Sequence, residues 1–178
     1  MKRRIIFLVV LVIFGVILTA AATPDFVARY MRLVVIINET PVAFDTYYIN
    51  GSYYFKLRDL AYALRDTEKR FTVGWDGASN TIALVSGESY TPAKSEIETR
   101  VKNTANKTAT ASAAKILVNG KEMMFSAYSI DDSNYLDIRN IGQVFNFYAE
   151  WDTEQKKFVI DTGKIYDNKL TAMTIKAR

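Results

Sequence analysis

Two Trp-Asp pairs, Trp75-Asp76 and Trp151-Asp152, are the residues of this chain best suited to hold a ligand. An indole offers a flat apolar face on which a sugar ring can stack. The alternative is that each tryptophan anchors the core at the end of a strand while the aspartate opens the next turn. Because both pairs occupy equivalent positions of an internal repeat, the sequence favours the structural interpretation.

Four tyrosines form a second aromatic cluster within eight residues, at positions 47, 48, 53 and 54. An exposed strip of this kind would bind a glycan or a peptide of a cell wall. The alternative is that these are ordinary strand residues, because tyrosine is frequent in strands. The candidate ligand-binding residues are therefore Tyr53, Tyr54, Trp75 and Trp151.

The charged residues suggest structural roles rather than a reaction. Lys56, Arg58 and Asp59 lie where a helix is expected to begin, which predicts an ion pair between helix and sheet. The aspartates that could suggest calcium, at positions 131, 132, 137, 152 and 161, lack the spacing of a known calcium loop and are predicted to lie in solvated turns.

The chain contains no histidine and no cysteine. The usual near-neutral general base, the commonest metal ligand, thiol catalysis and disulfides are all excluded. We expect no catalytic residue, no metal and no cofactor. A carboxylate-dependent hydrolase remains a remote alternative, although nothing singles out a pair of carboxylates.

The net charge of +4 comes mostly from one end of the chain. Lys2, Arg3 and Arg4 supply three positive charges, and residues 1–22 contain no Asp or Glu. The remainder carries 23 − 3 = 20 basic against 19 acidic side chains. A near-neutral body argues against nucleic acid as a partner, because phosphate binding needs a basic surface.

The N-terminal segment, residues 1–22, has the layout of a secretory signal. A basic start is followed by an apolar run over residues 5–18, and Ala20 and Ala22 fit a signal-peptidase site with cleavage after Ala22. The alternative is an uncleaved anchor. Both place the body outside the cytoplasm, secreted or at the cell surface, and touching the membrane only through this segment.

An internal repeat organises the body. Residues 37–64 align with residues 118–145 at an offset of 81, and residues 71–90 align with 147–166 at an offset of 76. Identical pairs are Asn38/Asn119, Phe44/Phe125, Tyr47/Tyr128, Ile49/Ile130, Ser52/Ser133, Tyr54/Tyr135, Arg58/Arg139, Phe71/Phe147, Trp75/Trp151, Asp76/Asp152, Gly87/Gly163 and Tyr90/Tyr166. The expected units are repeat 1 (33–92), a polar linker (93–115), repeat 2 (116–166) and a tail (167–178).

Each repeat reads as strand, strand, helix, strand, strand. Residues 33–37 are a β-branched run, and alternating apolar residues predict the other strands. Apolar positions spaced as on a helix predict a short amphipathic helix in each copy: Leu57, Leu60, Ala61 and Leu64, and Ile138, Ile141, Gly142 and Phe145. The predicted fold is α+β, with two pseudo-equivalent ββαββ-type repeats whose antiparallel strands pack on short helices in one domain.

Several stretches resemble the copper amine oxidase N-terminal-like domain, or stalk domain, of bacterial exported proteins. They are residues 53–64 (YYFKLRDLAYAL), 73–82 (VGWDGASNTI), 118–121 (VNGK) and 127–130 (AYSI). The resemblance covers residues 33–166 and implies an extracytoplasmic accessory module. The second copy departs from it at residues 135–141.

The residues exclude the copper chemistry that this family name suggests. A copper amine oxidase needs three His ligands and a quinone derived from Tyr in an Asn-Tyr-Asp/Glu context. The chain has no His, and Asn134-Tyr135 is followed by Leu136.

We therefore expect a non-catalytic stalk, spacer or surface-interaction module. The alternative is a module that binds wall glycan or peptide through exposed Tyr or Trp. The expected partner is a cell-wall polymer or another surface protein. Solvent exposure of the aromatic side chains discriminates between the two, because a spacer needs no exposed aromatic patch.

Overall fold

A computed structural model describes residues 25–94 and 105–166 of the protein. Of these, 53% lie in strands and 13% in helices. The predicted N-terminal segment (1–22), cleavage after Ala22 and the tail (167–178) lie outside the described residues. In the described part of the chain, no helix combines the length and the apolar character needed to cross a membrane.

Twelve strands and two helices make up the described fold. The strands are β1 (Asp25–Ile37), β2 (Thr40–Ile49), β3 (Ser52–Lys56), β4 (Phe71–Asp76), β5 (Thr81–Ser86), β6 (Lys107–Ala111), β7 (Lys115–Val118), β8 (Lys121–Glu122), β9 (Ala127–Ile130), β10 (Ser133–Asp137), β11 (Tyr148–Asp152) and β12 (Lys157–Asp161). The helices are α1 (Leu57–Leu64) and α2 (Ile138–Phe145).

Six of the strands close into an antiparallel β-barrel. They follow the order β1-β2-β3-β10-β9-β6, and β6 pairs back to β1, where Phe26 lies opposite Ala109. Three barrel strands come from each half of the chain. Closure satisfies the backbone groups of both edges, which an open sheet would leave unpaired.

The predicted fold class, α+β with two ββαββ-type repeats, is wrong. The described protein is mostly β, with a closed six-stranded barrel and two helices of eight residues each. The first strands of each predicted unit pair with strands of the other unit. Neither unit is therefore a self-contained element.

The sequence repeat corresponds to a strand pairing that occurs twice in the structure. Strand β5 pairs in parallel with β7, with Leu84 opposite Val118. Strand β12 pairs in parallel with β1, with Ile160 opposite Ile37. In the repeat alignment Leu84 corresponds to Ile160, at an offset of 76, and Ile37 corresponds to Val118, at an offset of 81. The two pairings are therefore equivalent. We call two residues related by these offsets counterparts.

Two apolar clusters hold the fold together. One fills the barrel with three tyrosines, two alanines, two isoleucines and the partly buried rings around them, namely Tyr47, Tyr54, Tyr128, Ala28, Ala109, Ile49, Ile130, Phe26, Tyr30 and Tyr135. The other lies between the helices, the four-stranded sheet β4-β5-β7-β8 and the strands β11, β12 and β1. The predicted helix stripes face this second cluster, and all eight of their residues are buried.

Two stretches without an apolar signal also form strands. Residues 25–32, which precede the predicted strand at 33–37, are the first part of β1. Within the predicted linker 93–115, residues 107–111 form β6. This stretch lacks bulk because its inward residue, Ala109, is fully buried in the narrow barrel. Residues 95–104 of the predicted linker lie outside the described residues.

Candidate functional site

A cleft of about 790 Å³ lies between the barrel, the start of α1 and the β4–β5 hairpin. Trp75 on β4 stands in its wall, and we call it the Trp75 cleft. The barrel side contributes residues 110–114, Ser129 and residues 131–134. Its volume is in the range of sites that bind small molecules or short polymer segments.

The indole of Trp75 is an exposed apolar surface in this cleft. Its side chain is 49% exposed, whereas Ile82, its partner across the strands, is buried. The turn beyond it is tightly organised. Asp76 accepts hydrogen bonds from the Ala78 N–H (3.0 Å) and the Ser79 hydroxyl (2.6 Å), and both lower the pKa of its carboxyl group. The indole therefore stands on a rigid hairpin.

The opposite wall is polar and held in place by hydrogen bonds. Ser112 Oγ donates to Asn134 Oδ1 at 3.0 Å, and no described residue accepts a hydrogen bond from Asn134 Nδ2. Asn80 Nδ2 donates to the carbonyl of Ala113 at 3.0 Å, which joins the β4–β5 turn to the barrel side. Hydrogen-bonded hydroxyl and amide groups therefore line the same cleft as the indole.

Charged side chains of both signs line the same cleft. Lys56, Arg58 and Asp59 come from the start of α1, and Asp131 and Asp132 from the β9–β10 turn. Asp131 pairs with Lys107 Nζ at 3.0 Å. These groups can donate to and accept from a polar ligand, and the mixture of signs does not favour a highly charged one.

The counterpart of Trp75 has a different environment. The ring of Trp151 stacks on that of Tyr53, with centroids 5.5 Å apart and planes at 16°. The ring of Phe158 packs against Trp151 at 5.6 Å and against Tyr53 at 5.7 Å. We call Tyr53, Trp151 and Phe158 the Trp151 stack.

Smaller residues at counterpart positions explain why one tryptophan is covered and the other exposed. Asn134 stands where the Trp151 stack has Tyr53, and Ile82 stands in place of Phe158. Tyr48, which packs on Tyr53 at 5.0 Å, is replaced by Ser129. The Trp75 cleft therefore occupies the space that aromatic rings fill in the other half.

The structure separates the four candidate binding residues. Tyr53 and Trp151 lie together in the Trp151 stack, and Trp75 lies in the cleft. Tyr54 is only 4% exposed, inside the barrel, where its hydroxyl lies 2.7 Å from Ser126 Oγ. Burial raises the pKa of the Tyr54 hydroxyl. Tyr54 is therefore a core residue.

The carboxylates considered from the sequence do not gather into a metal site. Within the described residues there is no group of three or more His, Cys, Asp or Glu placed to hold an ion. Asp152 accepts from the backbone N–H groups of Glu154 and Gln155, both at 2.9 Å, as expected for a turn. Asp137 instead pairs with Arg139, whose guanidinium also donates to a serine on β3.

Comparisons with protein-family models, with curated proteins and with solved structures find no match for this chain. The candidate site therefore stands on its geometry alone.

Sequence reasoning identifies Trp75 but misses the wall opposite it. Residues 110–114 fall in the predicted linker. Ser129 lies in the stretch 127–130 that resembles the stalk domain, and Asn134 precedes Tyr135, but neither pattern marks a ligand-binding residue. A signal is nevertheless present in the repeat alignment. Where one copy packs a large aromatic residue and the other has a small polar one, the fold must either close in or leave a cleft.

Proposed function

We propose that this protein is a non-catalytic binding module that acts outside the cytoplasm and holds a cell-wall polymer in the Trp75 cleft. The observation that carries the proposal is the exposed indole in a cleft that hydrogen-bonded hydroxyl and amide groups also line. The counterpart indole, in contrast, is covered by Tyr53.

An exposed indole is a source of binding free energy. A tryptophan side chain covers about 150–250 Å² when fully buried, so covering its exposed half would contribute about 2–3 kcal/mol. Hydrogen bonds from Asn134 and the charged groups would add orientation more than affinity. Such a site suits a repetitive polymer, because each polymer chain presents many copies of the unit that the cleft would bind.

The chemistry of the chain and its N-terminal pattern support binding outside the cytoplasm rather than turnover. The chain has no His and no Cys, so it lacks the commonest general base and the thiol nucleophile. The signal-like segment 1–22 would bring the body into contact with wall polymers. The resemblance to stalk domains is consistent with this placement and stays a prediction.

Co-sedimentation with purified cell-wall sacculi tests the proposal. We expect Trp75→Ala to weaken binding at least tenfold, because the stacking surface is lost. The matched control is Met124→Ala, which removes a side chain that is 97% exposed and lies outside the cleft. Circular dichroism of each variant establishes that it is folded.

A pure spacer would give a different result. It would bind the sacculi no better than an unrelated protein of similar charge, or Trp75→Ala would bind as wild type does. Either outcome would contradict the proposal and favour a stalk without a ligand.

A further inference from the structure

We infer that the group held on Trp75 is a pyranose ring of a glycan, seated where the Trp151 stack has the ring of Tyr53. The inference rests on the proposed function and adds the chemical class and the position of the ligand. It depends on comparing the two halves of one chain, because each half shows what the other lacks.

The Trp151 stack shows what the indole face is shaped to accept. Tyr53 lies parallel to Trp151, and the strand registers around the two tryptophans match. Trp151 lies opposite Phe158 as Trp75 lies opposite Ile82. Trp75 therefore occupies the strand position equivalent to that of Trp151, but Asn134 stands at the position of the overlying Tyr53. A six-membered ring fits the space that this difference leaves.

The residues at the rim of the cleft favour a sugar over an aromatic ring as the ligand. In the Trp151 stack the edges of Tyr53 meet the rings of Phe158 and Tyr48. The corresponding positions of the cleft hold Ile82 and Ser129, and the ring position itself borders Asn134.

A tyrosine or phenylalanine from a partner peptide would bury hydroxyl and amide groups without partners, at a cost of about 1–3 kcal/mol each. A pyranose has an apolar C–H face for the indole and hydroxyl groups at its rim for these polar side chains. The charged groups Arg58 and Asp132 lie in the same lining and suit the hydroxyl groups of neighbouring sugar units.

The substitution Asn134→Tyr tests the position of the ring, since it rebuilds the Tyr53–Trp151 arrangement on Trp75. The probes are the β-1,4-linked tetramer of N-acetylglucosamine, the β-1,4-linked tetramer of glucose and the free stem peptide of the wall, measured by isothermal titration calorimetry. We expect wild type to bind at least one tetramer and Asn134→Tyr to bind it at least tenfold more weakly. Ser129→Tyr, at the counterpart of Tyr48, obstructs the same space if the first variant does not fold.

Asn134→Ser is the matched control, since it changes the same residue and leaves the cleft open. We expect it to weaken binding of the tetramer by less than tenfold. The choice of tetramer that binds distinguishes an N-acetylated wall glycan from a glucan without acetamido groups, and either result supports the inference.

Three outcomes would overturn the inference. In the first, the obstructing variants fold and bind the tetramer as wild type does. The sugar ring then does not lie on Trp75. In the second, the stem peptide binds while neither tetramer does. This result contradicts a glycan ligand but agrees with the proposed binding of the cell wall. In the third, the sacculi, the tetramers and the peptide all fail to bind, and the proposed function falls as well.

Discussion

Two asparagines show how single residues hold the halves together. Asn38 and Asn119 are counterparts, and both adopt a left-handed backbone, with φ of 45° and 50°. Asn38 Nδ2 donates to Thr162 Oγ1 at 2.8 Å, and its Oδ1 accepts from the Thr162 N–H at 2.9 Å. Asn119 makes the equivalent pair of bonds with Ser86, at 3.0 Å each. Each asparagine therefore fastens the turn of one half to the end of the last strand of the other.

Substitution of Asn38 by alanine should destabilise the protein by about 2–3 kcal/mol. Two hydrogen bonds are lost at about 1 kcal/mol each, and a left-handed alanine costs about 1 kcal/mol more. Asn38→Gly also removes the two hydrogen bonds, but glycine adopts a left-handed backbone without strain. This variant should therefore lower the unfolding free energy by less. Urea unfolding measures both. Equal stability of wild type and Asn38→Ala would contradict the bridging role.

The position of Trp75 was predictable from its residue type, but its exposure was not. Trp75 and Trp151 share the same local pattern of strand, aspartate and turn. What separates them is a residue on a different strand, Asn134 in one case and Tyr53 in the other. A contact between such distant segments carries no local periodicity, so only the assembled fold reveals it.

At the scale of elements, the two helices begin differently. Asp137 is the N-cap of α2, and its Oδ1 accepts from the Arg139 N–H at 3.0 Å. Its carboxylate also pairs with the Arg139 guanidinium, which raises the pKa of that arginine. The counterpart at α1 is Lys56, which makes no side-chain capping bond.

Asp137→Ala should therefore cost about 1–3 kcal/mol of unfolding free energy, because a buried cap and ion-pair partner is lost. Lys56→Ala, the matched change at α1, should alter it by less than about 0.5 kcal/mol. Thermal or urea unfolding of the two variants checks the difference. Equal losses would show that the cap does not stabilise α2.

Tyrosines inside the barrel make the unfolding free energy depend on pH in the alkaline range. Burial raises the pKa of Tyr135, Tyr47 and Tyr54 in the folded protein. The unfolded chain releases these protons near pH 10, about the ordinary tyrosine value. The stabilisation from the neutral hydroxyls is therefore complete below about pH 10 and is lost as pH rises towards the folded-state pKa values.

The expected result is an unfolding free energy that falls steadily above about pH 10, with a shallower slope in Tyr135→Phe. Urea unfolding at a series of pH values measures the slope, and absorbance of tyrosinate reports when ionisation occurs. A slope unchanged in Tyr135→Phe would mean that this tyrosine titrates equally in both states.

Secondary structure with a strong apolar period was predictable, and the closure of the barrel was not. The stripe that begins at Leu57 marks α1, and the one that begins at Ile138 marks α2. Strand β6 carries no apolar signal in the sequence, because its inward residue in the narrow barrel is Ala109, which is small and fully buried. Pairing between residues 25–28 and 107–110 is a non-local contact, which no short pattern specifies.

At the scale of the whole molecule, the halves exchange strands. Strand β5 of the first half adds to β7 of the second, and β12 of the second adds to β1 of the first. The stacked rings of Phe71 and Phe145, 4.5 Å apart, also join the halves. Neither half can complete its sheets alone.

The protein should consequently unfold in one cooperative step. Urea transitions followed by tryptophan fluorescence and by far-ultraviolet circular dichroism should coincide, since no half retains its structure when the other melts. Two separate transitions would contradict the exchange of strands.

The central claim is that divergence between the halves has left one cleft open, at Trp75, and that this cleft binds the ligand. The most direct test is a titration of the two indole N–H signals by nuclear magnetic resonance, assigned with Trp75→Phe and Trp151→Phe and followed on addition of muramidase-solubilised wall fragments. We predict that the Trp75 signal shifts in a saturable way while the Trp151 signal stays in place. A shift at Trp151 alone, or no shift at either indole, would contradict the claim.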